Sequence, residues 1–348
     1  MTLASPIAPA PDAAHSRRPA AVRWAWLFAS LALLVVLILA SVAFGAREVT
    51  FDDIIAGITG QAESLSALAV QQRVPRTVLA ILVGAALAVA GATMQGITRN
   101  PLADPGILGI SPGASLAVVI GIAYVGLYNP WAYIAFATVG AAVAAVFVYF
   151  VGSLGRGGAT PLKLALSGAA ATAAFLSLTS AIMLPRVDQL NNFRLWQVGG
   201  VGGVGWDQIA VVTPVLIAGG ALCFAMARGM NMLALGDDLA AGLGERVGRT
   251  RLLCGIGAVI LCGAATAVAG PIAFVGLVIP HLCRLLVGAD YRWILLFSVV
   301  LGASLIVGAD VVGRIITRPQ EVEVGIITAL IGAPFFVWIV RRTKVRDL

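Results

Sequence analysis

Charge is the scarcest property of this sequence. Asp, Glu, Lys and Arg make up 11% of the 348 residues and hydrophobic types 60%, where a soluble domain carries ~25% charged residues. That balance excludes a soluble enzyme, a disordered chain and a collagen-like chain. Only two lysines occur, Lys163 and Lys344, and neither follows a glycine. A GxxxxGK[ST] phosphate loop is therefore impossible, and if ATP powers this protein another chain must hydrolyse it. The two histidines, His15 and His281, are too few and too far apart for a metal cluster. Cys223, Cys254, Cys262 and Cys283 sit in apolar runs without CxxC spacing. They read as small buried hydrophobes, not as a disulfide framework or zinc site. No catalytic constellation and no cofactor- or metal-binding set is visible. The net charge of +7 does not call for nucleic acid, because basic residues in so apolar a chain mark the cytoplasmic side of a membrane.

What is present is length of apolar run. A spanning helix needs ~20 mostly apolar residues, and ten candidates follow one another at roughly 22–44, 76–98, 106–127, 130–152, 162–184, 207–228, 251–269, 272–288, 293–313 and 323–341. The first is too long for a signal-peptide core and reads as a retained span. Residues 1–21 are then a cytoplasmic tail and 22–348 a membrane domain. With the N-terminus inside, sixteen of the 23 Lys and Arg residues fall on inner segments and seven on outer ones. This bias supports ten spans with both termini cytoplasmic. The 40 glycines suit close helix packing, and Gly84/Ala88 and Gly109/Gly113 have the small-xxx-small spacing that permits it.

Four segments stand out. The inner loop NMLALGDDLAAGLGERVGRTRLL (231–253) repeats Leu235, Leu239, Leu243 and Val247 every four residues, which lines one helical face. Asp237, Asp238, Glu245 and Arg246 take other positions, and Gly242 and Gly244 should split the segment into two short helices. Such an element fits a groove on a partner protein, or lies on the membrane surface. Outer arginines run against the inside bias: Arg73 and Arg76 in QQRVPRT, and Arg314 and Arg318 in GRIITRP. They could pair with carboxylates of an external protein or snorkel to lipid phosphate. The outer segment 185–206 joins a polar, aromatic half to a glycine-rich half that could gate a pore mouth. Prolines in ITRNPLADPGILGISPGAS (97–115) should break a helix there. Asp310 is the only carboxylate clearly inside a span, which argues against ion-coupled transport and for energy supplied elsewhere.

Together, RVPRT (73–77), GATMQGITRNPLADPGILGISPGAS (91–115), GPIAFVGLVIPHLCRLLVGADYRW (270–293) and GIITALIGAPFFVWIVRR (325–342) closely resemble the FecCD-type permeases. These are membrane subunits of type II ABC importers for iron–siderophore, haem or cobalamin. The resemblance covers nearly all of 22–342. It implies an all-α polytopic fold of ten transmembrane helices in a bacterial inner (cytoplasmic) membrane. The implied partners are a second permease, favoured as a different but related chain, two ATP-binding subunits carrying ATP and Mg, an external substrate-binding protein, and membrane lipid. It implies that 231–251 is the ATPase-coupling region, with Leu235, Asp237, Asp238, Leu239, Gly242, Leu243, Gly244, Glu245 and Arg246 as its residues. It implies that Arg73, Arg76 and Arg314 receive the binding protein, and that Phe193, Trp196, Gly199 and Gly200 lie at the pathway or outer gate. Spans five, eight and ten would help line a central cavity. Many members carry E-L-P-V-G before the last helix; here EVEVG (321–325) puts Glu323 in place of a helix-starting proline. An acid at a helix N-terminus is still favourable, so the helix is expected to form. QLNNFRLWQVGG and GADYRW look most like permeases for ferric siderophores of the catecholate type. The alternatives are a haem or cobalamin permease, a secondary transporter working alone, or a membrane-embedded enzyme.

Overall fold

The computed structural model describes residues 19–61, 63–127, 129–155, 161–186, 193–194 and 196–342. Most of the expected N-terminal tail lies outside them, as do residues 187–192 of the outer segment and the C-terminal residues 343–348. Among the described residues the chain is helical and no strand occurs.

Ten apolar helices follow the ten predicted runs: α1 (Ala20–Ala43), α3 (Leu65–Thr98), α4 (Ile110–Ile120), α5 (Pro130–Ser153), α6 (Pro161–Met183), α7 (Trp206–Ala225), α10 (Val247–Ala269), α11 (Val275–Val287), α12 (Tyr291–Ile316) and α13 (Val324–Arg342). Short helices fill two connections, α2 (Phe51–Thr59) in one and α8 (Ala227–Leu233) with α9 (Asp237–Gly242) in the other. Seven of the ten are long and apolar enough to cross a membrane, and α4, α11 and α13 are shorter apolar helices. α11 has 13 residues, which reach about 20 Å of the ~30 Å hydrocarbon core. Backbone turns extend the short ones: a 3₁₀ turn at Pro105–Leu108 before α4, a π turn at Gly121–Val125 after it, and the Gly270–Phe274 connection before α11. The predicted proline break is there, since α3 stops at Thr98 and Arg99 turns left-handed at φ 52°.

α3 is the axis of the molecule. Twenty of its 34 residues are buried, and α10, α11 and α12 all pack on it. Glycine makes those approaches possible. A Cβ on Gly84 would collide with the backbone of Gly302, and one on Gly91 with that of Gly276. Backbones that meet this closely gain dispersion contacts in a solvent that offers no hydrophobic drive. Gly113 plays the same part between α4 and α5, facing Gly140 and Ala144. α1 is peripheral and leans on α12, with Trp24 edge-on to Trp293 at 5.4 Å and Arg23 over the same ring at 5.8 Å.

The bundle has two distinct ends. One gathers α2, residues 193–206 and the α12–α13 connection; the other gathers α8, α9 and the α3–α4 connection. GISPG (109–113) has the letters of a hydrolase nucleophile turn, yet Ser111 lies in the first turn of α4 with its hydroxyl 3.4 Å from that of Thr266. No histidine stands beside it among the described residues.

Candidate functional site

At the α2 end, three arginines meet one carboxylate and one helix terminus. Asp310 on α12 has a fully buried side chain. Arg76 of α3 donates to its Oδ1 from Nε at 2.8 Å, with Nη2 2.7 Å from the same oxygen. Arg314, one turn along α12, brings Nη2 to 2.9 Å from Oδ2 as an ion pair that lacks hydrogen-bond geometry. Arg314 also donates from Nη1 to the carbonyls of Ser41 and Phe44 at 3.0 and 3.2 Å, and from Nη2 to Ser41 Oγ at 2.7 Å. Arg73 donates to the carbonyls of Val42, Ala43 and Arg47 at 2.9, 3.1 and 2.7 Å. The last carbonyls of a helix have no intrahelical partner, and a cation there complements the helix dipole. These two guanidinium groups therefore cap α1.

Two of the three arginines expected to receive an external partner are thus engaged within the subunit. Arg73 is 6% exposed and Arg314 1%. Their donors are engaged inside the subunit, because burying a guanidinium requires that its hydrogen bonds be met. Arg76 differs. Its Nη1 reaches Glu321 Oε2 at 2.6 Å, and the Glu321 side chain is 37% exposed.

The outer segment meets the same end through its backbone. Gly200 N–H donates to the Ala269 carbonyl at 2.8 Å, and Gly325 N–H donates to the Gly199 carbonyl at 2.9 Å. Gly199 and Gly270 adopt φ of 79° and 69°, and Cβ atoms at Gly199, Gly270 or Gly325 would strike neighbouring carbonyl oxygens. Only glycine fits such a seam. Beside it lies a cavity of about 330 Å³ lined by Trp196, Gly200, Gln208 and Glu323 among others. Trp196 and Gly200 thus border open space, whereas Phe193 does not. Phe193 is 4% exposed and packs with Val119 and Met183, its ring 6.0 Å from that of Trp196. An apolar ring beside an unfilled core site is drawn inward, so Phe193 anchors the segment. Burial pushes the Glu323 carboxyl above the usual carboxylate range, partly offset by Arg76.

At the α9 end the predicted coupling residues divide by direction. Leu235, Leu239 and Leu243 are 56%, 63% and 63% exposed, and Asp238, Gly242, Gly244 and Arg246 are exposed with them. Asp237 turns inward. Its Oδ1 accepts from Arg251 Nη2 at 2.9 Å and lies 3.6 Å from Arg99 Nη2, so it joins α9 to the ends of α3 and α10. Glu245 likewise accepts the Thr250 hydroxyl. The helix breaks fall at Gly236 (φ 108°) and Gly244 (φ 87°). Gly242, expected to break the helix, is instead the last residue of α9, because its φ is ordinary and the positive φ is taken by Gly244.

Sequence reasoning missed the partnership of Asp310 with Arg76, although the i,i+4 spacing of Asp310 and Arg314 was there to be read. It also missed the polar tie of Asn231 to Asp290 and the Tyr291 N–H, both at 2.8 Å, and the link from Arg284 to Gln95 at 2.5 Å. No residue group able to hold a metal ion occurs among the described residues.

Known proteins match this arrangement over most of its length. The ferric enterobactin transport system permease protein FepD of Escherichia coli (strain K12) is 42% identical over 314 residues, 90% of this chain and 93% of that protein. The iron(3+)-hydroxamate import system permease protein FhuB of Bacillus subtilis (strain 168) is 46% identical over 272 residues, 78% of this chain and 71% of that protein. A solved chain of a metal-chelate type ABC transporter in an inward-facing conformation superposes with a TM-score of 0.79 at 26% identity, covering 92% of this chain and 99% of that one. The FecCD transport family profile matches residues 33–342; this chain is a member of that family, an all-helical permease subunit of an ABC transporter.

Proposed function

We propose that this chain is half of the conduit of a type II ABC importer that carries ferric siderophore across the bacterial cytoplasmic membrane, with both termini inside. A second permease, a related but different chain, completes the pathway. Two ATPase subunits bind beneath it and a substrate-binding protein delivers cargo from outside. The observation that carries this reading is the α9 face. Three leucines more than half exposed on a polar loop mark a surface awaiting a protein partner. Their anchors sit where a groove on an ATPase would take them.

ATP binding then moves α9, and the bundle rocks between outward- and inward-open forms. The cargo path is lined by α6, α11 and α13. The exposed faces of Leu166, Leu178, Leu330 and Ile331 on α6 and α13 suit contact with the second permease. The α2 end is the binding-protein platform. Arg73 and Arg314 hold the rim in shape, and Arg76 is the exchangeable contact: an acidic side chain of the binding protein displaces Glu321 from Nη1. Relatives that serve enterobactin and hydroxamates support a siderophore cargo.

Reconstitution in proteoliposomes with the ATPase and binding protein tests the whole reading. ATP-dependent uptake of ferric siderophore is expected, together with stimulation of the ATPase by the loaded binding protein. Ion-gradient-driven uptake without an ATPase would overturn it.

A further inference from the structure

Glu323 is not explained by the fold or by the importer reading. It stands just before α13 with its side chain half-buried. Among the described residues its carboxylate makes no hydrogen bond or ion pair. Nearby acids are occupied, Asp310 by two arginines and Glu321 by Arg76. Arg76 acts on Glu323 through space, with Nε and Nη2 turned to Asp310 and Nη1 to Glu321. Glu323 instead lines the cavity of about 330 Å³ with Tyr133, Trp196, Gly200, Val204 and Gln208. A Cβ on Gly200 would strike Glu323 Oε2, so the bare glycine gives the carboxylate room at the wall.

A carboxylate unpaired among the described residues, lining a cavity with aromatic side chains and a side-chain amide, is the set that receives an organic cation. The same set repels an anionic group. At its size the cavity lies at the lower end of those that hold a drug-sized molecule. It admits one arm of a large chelate and not the whole.

We propose that this cavity is a cation-accepting site at the outer mouth, where Glu323 receives the terminal ammonium group of an iron chelate that carries one. The assignment of cargo rests on the importer reading above; the cation preference of the cavity does not. Because burial raises the Glu323 pKa, the preference holds above that raised value. It fades as pH falls through it, sooner on acidification than for an exposed glutamate.

Two measurements test this. In the first, Val204→Cys is introduced into the full chain in lipid nanodiscs and labelled with a cationic or an anionic methanethiosulfonate reagent. The four native cysteines are buried, so the parent protein gives the background. The cationic reagent is expected to react about tenfold faster than the anionic one, and Glu323→Gln to remove most of that difference. Equal rates, an anion preference, or a ratio unmoved by Glu323→Gln would overturn the site. In the second, the assembled importer is offered a linear trihydroxamate iron chelate ending in a primary amine and the same chelate N-acetylated. Faster uptake of the amine form is expected, with the ratio of the two forms falling to parity in Glu323→Gln. Parity in the unmodified protein would overturn the cargo assignment and leave the cation site standing. ATP-independent uptake of both chelates would overturn the importer reading, and with it the cargo assignment, while the labelling ratio still decided the site.

Discussion

Asp310 and Asp237 each hold two arginines, one set including Arg76 of α3 and the other Arg99 just past its end, yet one cluster is sealed and the other open. The Asp310 side chain is fully buried and its contacts run from 2.7 to 2.9 Å. The Asp237 side chain is 40% exposed, with contacts at 2.9 and 3.6 Å to arginines that are 38% and 45% exposed. A buried charge whose partner is removed is costly, whereas an exposed pair is screened and contributes ~0–1 kcal/mol. Of these two ties on the axis helix, the one at the α2 end is thus firm and the one at the α9 end light. An element that must move for transport belongs on the weakly held side.

The largest effect should come from breaking the sealed cluster. Asp310→Ala leaves the buried Arg314 without a counter-ion and Arg76 with only the half-exposed Glu321, and should cost about 3–5 kcal/mol. The expected result is loss of folded protein from membranes, or a steep fall in Tm in detergent. Asp310→Asn should recover little of it, since the charge and not the shape is missing.

Next comes the α9 face. Leu239→Ala with Leu243→Ala should leave the Tm unchanged, because both side chains already face outward. It should lower ATP-driven uptake by at least about tenfold, as loss of interface anchors does. Full transport by this variant would separate α9 from the ATPase.

Asp237→Asn should shift the Tm by no more than the ~1 kcal/mol expected of a screened surface pair. It should still reduce the cargo moved per ATP hydrolysed, since α9 would no longer pull on α3 and α10 together. Raising salt should mimic it, while the Asp310 cluster ignores salt.

The smallest effect belongs to the connection above the sealed cluster. Asp53 accepts from the Thr50 N–H and hydroxyl at 3.0 and 2.7 Å and from the Ser64 hydroxyl at 2.7 Å. The Thr50 backbone bond first, then the two hydroxyls, holds its carboxyl below the usual range. The folded pKa lies below the unfolded one, so the stabilisation is complete above ~pH 4. It is lost as pH falls through the lowered value. Hydrogen exchange of α2 amides, corrected for intrinsic rates, should hold steady down to ~pH 4 and quicken as pH falls further through the lowered value, and Asp53→Asn should abolish that change.

The helices were legible because apolar length is a local signal. All ten runs are helices, and even the break at Arg99 followed from the proline pattern. What the chain did not disclose was long-range partnership. Arg76 and Asp310 are far apart in sequence, and nothing local to either names the other. Nor does anything local to Arg73 and Arg314 announce the carbonyls at the end of α1 that take their donors. The packing of Phe193 on Val119 and Met183 was hidden for a related reason, since both partners lie on other stretches of chain. The family resemblance singled out the 231–251 loop, but only geometry separated its outward leucines from the inward Asp237 and Glu245.

The seam of Gly199, Gly270 and Gly325 has a consequence for how this permease can diversify. Three distant stretches of chain share one junction that tolerates no side chain, so those positions are closed to variation. Novelty at the mouth must arise from the residues around it, Trp196, Val204, Gln208 and Glu323. A lineage can exchange these without disturbing the backbone crossing that holds the three stretches together.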